Sequence, residues 1–357
     1  MRPRVKLTLI RVALLLSMTL LLFGGVLGVD LYLHQRYEKA AGLNRRGYRG
    51  PMLGRKQEGE QRVAVLDGST AFGYGVTWQA AIPALLEQKL KSRSDAGRTY
   101  RVVNLAYNNE GAYSFKHTLR DYAELGYDVV VLYTGYHDLD LDRDNTRVFR
   151  HESPIFRLTG YLPIFPLVFR EKAMVLRYGG DLEAAYRGEK TVFTPNRGER
   201  ISAAALETVA NVAESLERQL GRLTGDEPVD AASMERRLSR LTGDEPVDSA
   251  SAEPTCDDWE FYCDQVSLAV DAVLAQESRV VVVTQPHIAD SHVVQQQALK
   301  NMLEATHGRN ADVRHVDLGE AVSLDDVELA WDGMHLTAAG NDIIATELVD
   351  PVIAMLR

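Results

Sequence analysis

Short uninterrupted apolar runs alternate with segments of helical period through most of this chain. Val63–Leu66 runs straight into Asp67-Gly68-Ser69-Thr70 and then Gly73 and Gly75. A continuous apolar run closed by glycine is the pattern of a buried parallel strand ending at a tight turn. Ala80–Lys91 carries apolar residues at helical spacing, with Pro83 suited to its first turn. Tyr100–Leu105 reads as a second strand, ending at Asn104 and a loop that reaches Gly111. Ser114–Leu125 reads as a helix, and Asp128–Leu132 as a third strand running into Tyr133-Thr134-Gly135-Tyr136-His137-Asp138. Helices are expected at Ile201–Leu220, Trp259–Gln276 and Val293–Thr306. Further strands are expected at Arg279–Thr284, before Gln285-Pro286-His287, and at Asp312–Asp317. Trp331–Thr337 opens a terminal helix to about Leu356. Strand and helix alternating at this spacing predict one doubly wound domain over residues 61–357, a parallel five-stranded sheet in a three-layer α/β/α arrangement.

Two insertions interrupt the pattern. Residues 139–200 have no clean period but hold an apolar, proline-interrupted stretch, SPIFRLTGYLPIFPLVF, Ser153 to Phe169. It reads as an irregular insertion packed on the body, or as a lid or surface dipping into a membrane interface. Residues 221–256 are acidic and contain RLTGDEPVD twice, at Arg222–Asp230 and Arg240–Asp248. Two copies are too few for a solenoid, so a surface excursion is expected.

The amino-terminal end has a different pattern. A short basic tail, residues 1–11, precedes Val12–Val29, which carries no charge until Asp30. A run of that length is about enough to span a bilayer. A cleaved signal peptide shares the basic end and apolar core, but the length of the run and the lack of an A-x-A site favour a retained anchor over residues 12–30. Residues 31–60 are polar, basic and glycine-containing, and read as a stalk or linker. Basic residues on both sides of the span leave the positive-inside bias weak. The short basic tail places the body outside the cytoplasm, periplasmic or extracellular. Cys256 and Cys263 either pair, as an oxidising compartment allows, or are two buried thiols.

Composition narrows the function classes. The net charge of −10 and the lack of a basic stripe with interleaved aromatics argue against a nucleic-acid partner. The nine histidines are scattered, with no HExxH and no CxxC pair, so no metal site is expected.

The chemistry-bearing residues fall at strand ends. Ser69 follows the first strand, Gly111 lies beyond the second, Gly135 and His137 follow the third, and Asp332 and His335 precede the last helix. A hydroxyl is a poor nucleophile unless a base takes its proton, and imidazole is a good base when a carboxylate fixes its tautomer. Asp332 and His335 are spaced to meet on one turn. Charge developing on an attacked carbonyl needs donors already in place, typically backbone N–H groups of glycine-containing loops. Ser69 and Gly111 suit that role. His287 and His292 could line a cleft or be ordinary loop histidines. Tyr107, Asn108 and Asn109 could shape a pocket or form a turn.

In these residues the chain resembles the SGNH, or GDSL-type, hydrolases. Asp67-Gly68-Ser69-Thr70 matches the first family block, with Ser69 as nucleophile, and Gly111 in NNEGAYS matches the oxyanion-hole glycine of the second. Gly135-Tyr136-His137-Asp138 resembles the Gly-x-Asn-Asp block, and Asp332-Gly333-Met334-His335 the Asp-x-x-His block. The chain departs from the family twice: Asp67 stands where glycine is usual, and His137 replaces an asparagine whose amide donates to the oxyanion. A carboxylate aimed inward would oppose an oxyanion, whereas a neutral imidazole still offers one N–H. The resemblance implies a flavodoxin-like serine esterase. Its catalytic residues would be Ser69, His335 and Asp332, and its oxyanion hole Ser69, Gly111 and His137. It needs no cofactor. The implied substrate is an ester on a small molecule, an envelope glycan or a lipid. An O-acyltransferase using the same triad, or a non-catalytic envelope-binding scaffold, are the alternatives.

Overall fold

A computed structural model describes residues 3–93, 98–139, 146, 148–166, 168–169 and 254–356. The expected helix at Ile201–Leu220, both RLTGDEPVD copies and most of the two insertions lie outside the described residues. The chain divides into two units, Met1–Gly47 with Pro154–Leu220, and Tyr48–Ser153 with Gly221–Arg357.

The first unit is built on α1, Pro3–Ala41. Its stretch Arg11–Arg36 is long enough to cross a membrane, and the most apolar eighteen residues within it reach a mean hydropathy of 2.4. The helix outruns the apolar pattern, continuing through residues whose polar composition suggests a linker. Nothing in Leu31–Ala41 breaks a helix, because the first glycine after the apolar run is Gly42, at φ 71°. A short helix, Pro154–Thr159, and the proline-rich segment after it belong to this unit.

The second unit holds the sheet. In chain order its elements are β1 (Glu60–Leu66), α2 (Ser69–Phe72), α3 (Ile82–Ser92), β2 (Thr99–Asn104), α4 (Phe115–Asp121) and β3 (Val129–Thr134). They continue with α5 (Glu260–Leu274), β4 (Arg279–Thr284), α6 (Asp290–His307), β5 (Val313–Asp317) and α7 (Ala338–Met355). The strands form one parallel sheet in the order β2-β1-β3-β4-β5. Every residue of β3 is buried, which is why that strand reads as an unbroken apolar run. Val63, Val65, Val129, Val131, Val281 and Val283 join one core cluster with residues of α3 and α7. The intervening Ala64, Leu66, Val130, Leu132, Val280 and Val282 are equally buried on the opposite face. Each fully buried aliphatic side chain contributes roughly 1.5–3 kcal/mol, so the two faces hold the sheet rigid.

The strand order reverses direction at β1 and β3, so their carboxyl ends form the switch point at which α/β sheets of this order bind ligands. A disulfide joins Cys256, just before α5, to Cys263 in its first turn, which decides between the two readings of that pair.

Candidate active site

Ser69 is the first residue of α2, directly past β1, and is nearly buried. The turn that presents it is held from several sides. A side chain at Gly68 would collide with the His137 ring and with the Glu110 carbonyl, at 2.2 and 2.7 Å from a Cβ, so only glycine fits there. Gly73, at φ 84°, ends α2. The Asn104 amide donates to the Ala71 carbonyl at 3.0 Å. Arg49 donates to the carbonyls of Phe72, Gly73 (2.6 Å) and Val76 (2.6 Å). Its guanidinium also lies 4.6 Å over the Phe72 ring, and burial pulls its pKa down to about 10.

Asp67 occupies the other side of this turn. Its Oδ2 accepts the Ala71 N–H at 2.5 Å and its Oδ1 accepts the Gln285 amide at 3.1 Å. Gln285 in turn accepts the Tyr136 N–H at 2.8 Å. The carboxyl group is therefore engaged in tying together the ends of β1, β3 and β4. Burial raises its pKa to about 7, outweighing hydrogen bonds from Ala71 and Gly68, with the neighbouring Asp138 adding to the rise.

The far end of the chain meets Ser69 here. His335 Nε2 lies 2.8 Å from Ser69 Oγ, and His335 Nδ1 lies 2.6 Å from Asp332 Oδ2. The other Asp332 oxygen accepts the backbone N–H of His335 at 2.7 Å and of Met334 at 3.1 Å. Gly333, at φ 78°, permits that tight return. Burial alone would raise the Asp332 pKa, but these hydrogen bonds and the imidazole prevail and hold it below the usual carboxylate range. An ionised Asp332 fixes the His335 tautomer that carries its proton on Nδ1, leaving Nε2 to accept from the hydroxyl.

His137 approaches the same hydroxyl from the other side, with Nε2 3.5 Å from Ser69 Oγ. Burial, and then the charge of His335, push its pKa down to about 4, so the ring is neutral near pH 7 and retains one N–H. Gly111 sits in the loop whose Glu110 carbonyl abuts Gly68. A side chain at Gly111 would strike the Asp138 carboxyl, 2.7 Å from a Cβ. Asp138 accepts the Ala112 N–H at 3.1 Å, and burial raises its pKa to about 7. The Gly111 backbone also hydrogen-bonds the Tyr113 hydroxyl, whose pKa burial raises. The loop is further anchored by the buried pair Glu110–Arg150 at 3.5 Å, Arg150 donating to the Leu105 carbonyl at 2.7 Å.

The remaining candidates lie elsewhere. His292 is fully buried against Gly135 and Tyr136, and His287 pairs with Glu320 at 3.1 Å. Tyr107 is stacked on Phe149, and the Asn109 carbonyl accepts the Tyr113 hydroxyl. Arg49, Gln285 and Asn104 were not marked by the sequence as parts of the site. Arg49 is one of several arginines in a basic stretch, and Gln285 is signalled only by its place after a strand. Beside the Ser69–His335 pair, Trp331 stacks on His335 at 5.6 Å and Tyr74 lies 5.0 Å from it. Both aromatic rings keep nearly half of their surface open, at 44% and 45%. Among the described residues no three His, Cys, Asp or Glu side chains gather as a metal-holding group.

No protein-family model matches the chain, and no curated protein sequence does. Among solved structures, the chain is similar to an α/β hydrolase enzyme from the metagenome of Lake Arreo, Spain. The identity is 12% and the TM-score 0.42, over 83% of this chain and 96% of that one. It is also similar to the psychrotrophic esterase EstA from a Pseudoalteromonas species, at 9% identity and a TM-score of 0.41, over 83% and 98% of the two chains. A GDSL-like lipase from Bacteroides thetaiotaomicron matches at 12% identity and a TM-score of 0.37, over 90% and 96%.

Proposed function

We propose that this protein is a serine esterase of the SGNH type that cleaves acyl esters through Ser69, His335 and Asp332. The observation that carries the reading is the relay from Ser69 Oγ to His335 Nε2 at 2.8 Å and on from His335 Nδ1 to Asp332 at 2.6 Å. In the first step His335 takes the hydroxyl proton as Ser69 Oγ attacks the ester carbonyl. His335 then returns that proton to the leaving alcohol as the C–O bond breaks. Water, deprotonated by the same imidazole, releases the acid and restores Ser69. Asp332, kept ionised, balances the imidazolium that forms in each half-reaction. The tetrahedral oxyanion is held by the Ser69 backbone N–H and the neutral His137 ring, and by the Gly111 N–H once that donor turns from the Tyr113 hydroxyl to the substrate.

Tyr74 and Trp331 support a substrate with an apolar ring face, as the sugar of an acylated envelope glycan has. The Cys256–Cys263 disulfide and the apolar helix support a chain anchored through residues 12–30 with its hydrolase domain, 61–357, outside the cytoplasm. The direct test is hydrolysis of a small activated ester such as p-nitrophenyl acetate. Turnover by the full chain, abolished in Ser69→Ala, is expected. Equal turnover by the variant would overturn the reading.

A further inference from the structure

The stretch Leu162–Phe169 is fastened to α1, beginning at the residue where the apolar run of that helix ends. Asp30 is only 2% exposed. Its Oδ1 accepts the backbone N–H of Ile164 at 2.8 Å and of Phe165 at 2.6 Å, and its Oδ2 accepts the Tyr161 hydroxyl. One turn further on, the His34 ring meets the Leu162 carbonyl at 2.9 Å. From this fastening the chain runs back along the apolar helix. Phe165 and Phe169 line one groove of about 360 Å³ together with Leu21, Leu22 and Val26.

Two observations set the environment of that segment. The first is depth. At ~1.5 Å of rise per residue, Leu21 lies roughly 13 Å along the helix axis from Asp30. That is close to half the ~30 Å hydrocarbon thickness of a bilayer. The second is the backbone. Pro163 and Pro166 have no N–H to satisfy. The Leu162 N–H goes to the Arg45 carbonyl at 2.8 Å, those of Ile164 and Phe165 to Asp30, and that of Val168 to the Ile164 carbonyl at 2.9 Å. The described residues of the segment from Phe165 on are helical and Leu162–Ile164 are not. Hydrocarbon supplies no partner for the free N–H groups of such a turn and of the first helical turn, so at a membrane they must be satisfied within the protein. No charged residue occurs from Gly160 to Phe169.

We propose that the described residues of this segment, Leu162–Pro166 with Val168 and Phe169, lie among lipid acyl chains beside the half of the span nearest Asp30. The proposal rests on the reading of α1 as a membrane anchor, and the segment makes this a two-element attachment. Phe165 and Phe169 seat the segment on α1, and Asp30 takes up the backbone donors that would otherwise enter hydrocarbon unpaired.

Single cysteines for spin labelling can be introduced one at a time, because Cys256 and Cys263 are bonded to each other. The full chain carrying Val168→Cys or Phe169→Cys is placed in phosphatidylcholine vesicles, with Leu21→Cys and the exposed Val327→Cys as references. The labels at 168 and 169 are expected to collide with lipid-dissolved oxygen and to lose collisions with a water-soluble nickel chelate, as at Leu21. Val327→Cys is expected to behave in the opposite way. Nickel access at 168 and 169 with Leu21 protected would overturn the proposal while leaving the anchor intact. Shielding of both labels from both reagents would mean burial in protein and would overturn it equally. Nickel access at Leu21 would remove the anchor itself, and the lipid-inserted segment with it.

Discussion

His335 and His137 both direct Nε2 at the Ser69 hydroxyl, at 2.8 and 3.5 Å, but among the described residues only His335 has a carboxylate behind it. That asymmetry divides their work. In the proposed mechanism His335→Ala removes the base and is expected to lower kcat by roughly 10³-fold or more. His137→Ala removes the proposed side-chain oxyanion donor and is expected to cost roughly tenfold to a thousandfold in kcat, with KM little changed. Steady-state kinetics on an activated ester checks both, and unchanged kinetics in His137→Ala would take that ring out of the oxyanion hole.

Asp332 is held ionised by the N–H groups of His335 and Met334 as well as by the imidazole. Asp332→Asn keeps the size of the side chain but loses the charge and reverses the tautomer preference of His335. A fall in kcat of about 10³–10⁴-fold is expected, with the fold intact by circular dichroism. A loss below about tenfold would show that His335 needs no orienting carboxylate.

Burial raises both Asp67 and Asp138 to about 7. In the unfolded chain such groups release their protons near their ordinary value of ~4. Between about pH 4 and pH 7 the folded protein therefore holds more protons, and this contribution to stability falls as pH rises. His137 and His292, both pushed down to about 4 by burial, act in the opposite sense over a similar window, since they bind protons better when unfolded. The comparison of wild type with Asp138→Asn cancels the histidines. Denaturant unfolding is expected to show the wild type losing on the order of 3 kcal/mol relative to the variant between pH 4 and pH 7. A pH-independent difference would contradict the burial of an ionisable Asp138.

Arg49 ties together the carbonyls that end α2 and follow it, so its loss removes three hydrogen bonds and leaves the Val76 carbonyl without its guanidinium partner beside the turn that carries Ser69. Arg49→Met is expected to destabilise the protein by about 2–3 kcal/mol and to lower kcat through misplacement of Ser69. A melting curve together with ester kinetics tests this, and an unchanged melting temperature would refute it.

The sheet was legible because buried parallel strands are apolar on both faces, and each expected strand lies within a few residues of an observed one. The edge strand β5 was the least distinct, since none of its residues is fully buried and it admits Arg314 and Asp317. Ser69, His335 and Asp332 were legible as candidates because each follows or precedes an element boundary that the pattern already marked. What stayed hidden depends on contacts between distant residues. Asp67 reads as a threat to an oxyanion until Gln285 and the Ala71 N–H are seen to occupy its oxygens. Arg49 reads as linker charge until the carbonyls it caps are brought to it. Leu31–Ala41 lacks apolar period and so reads as linker, although it continues α1. The pairing of Ile164 and Phe165 with Asp30 leaves no periodic trace in the sequence.

The central claim is that His335 activates Ser69 as a nucleophile. Intact-mass and peptide measurement after treatment with a fluorophosphonate tests it most directly. One phosphonyl group on Ser69 is expected, absent in Ser69→Ala and formed far more slowly in His335→Ala. Folded wild-type protein that takes up no phosphonyl group, or carries it at another residue, would contradict the claim.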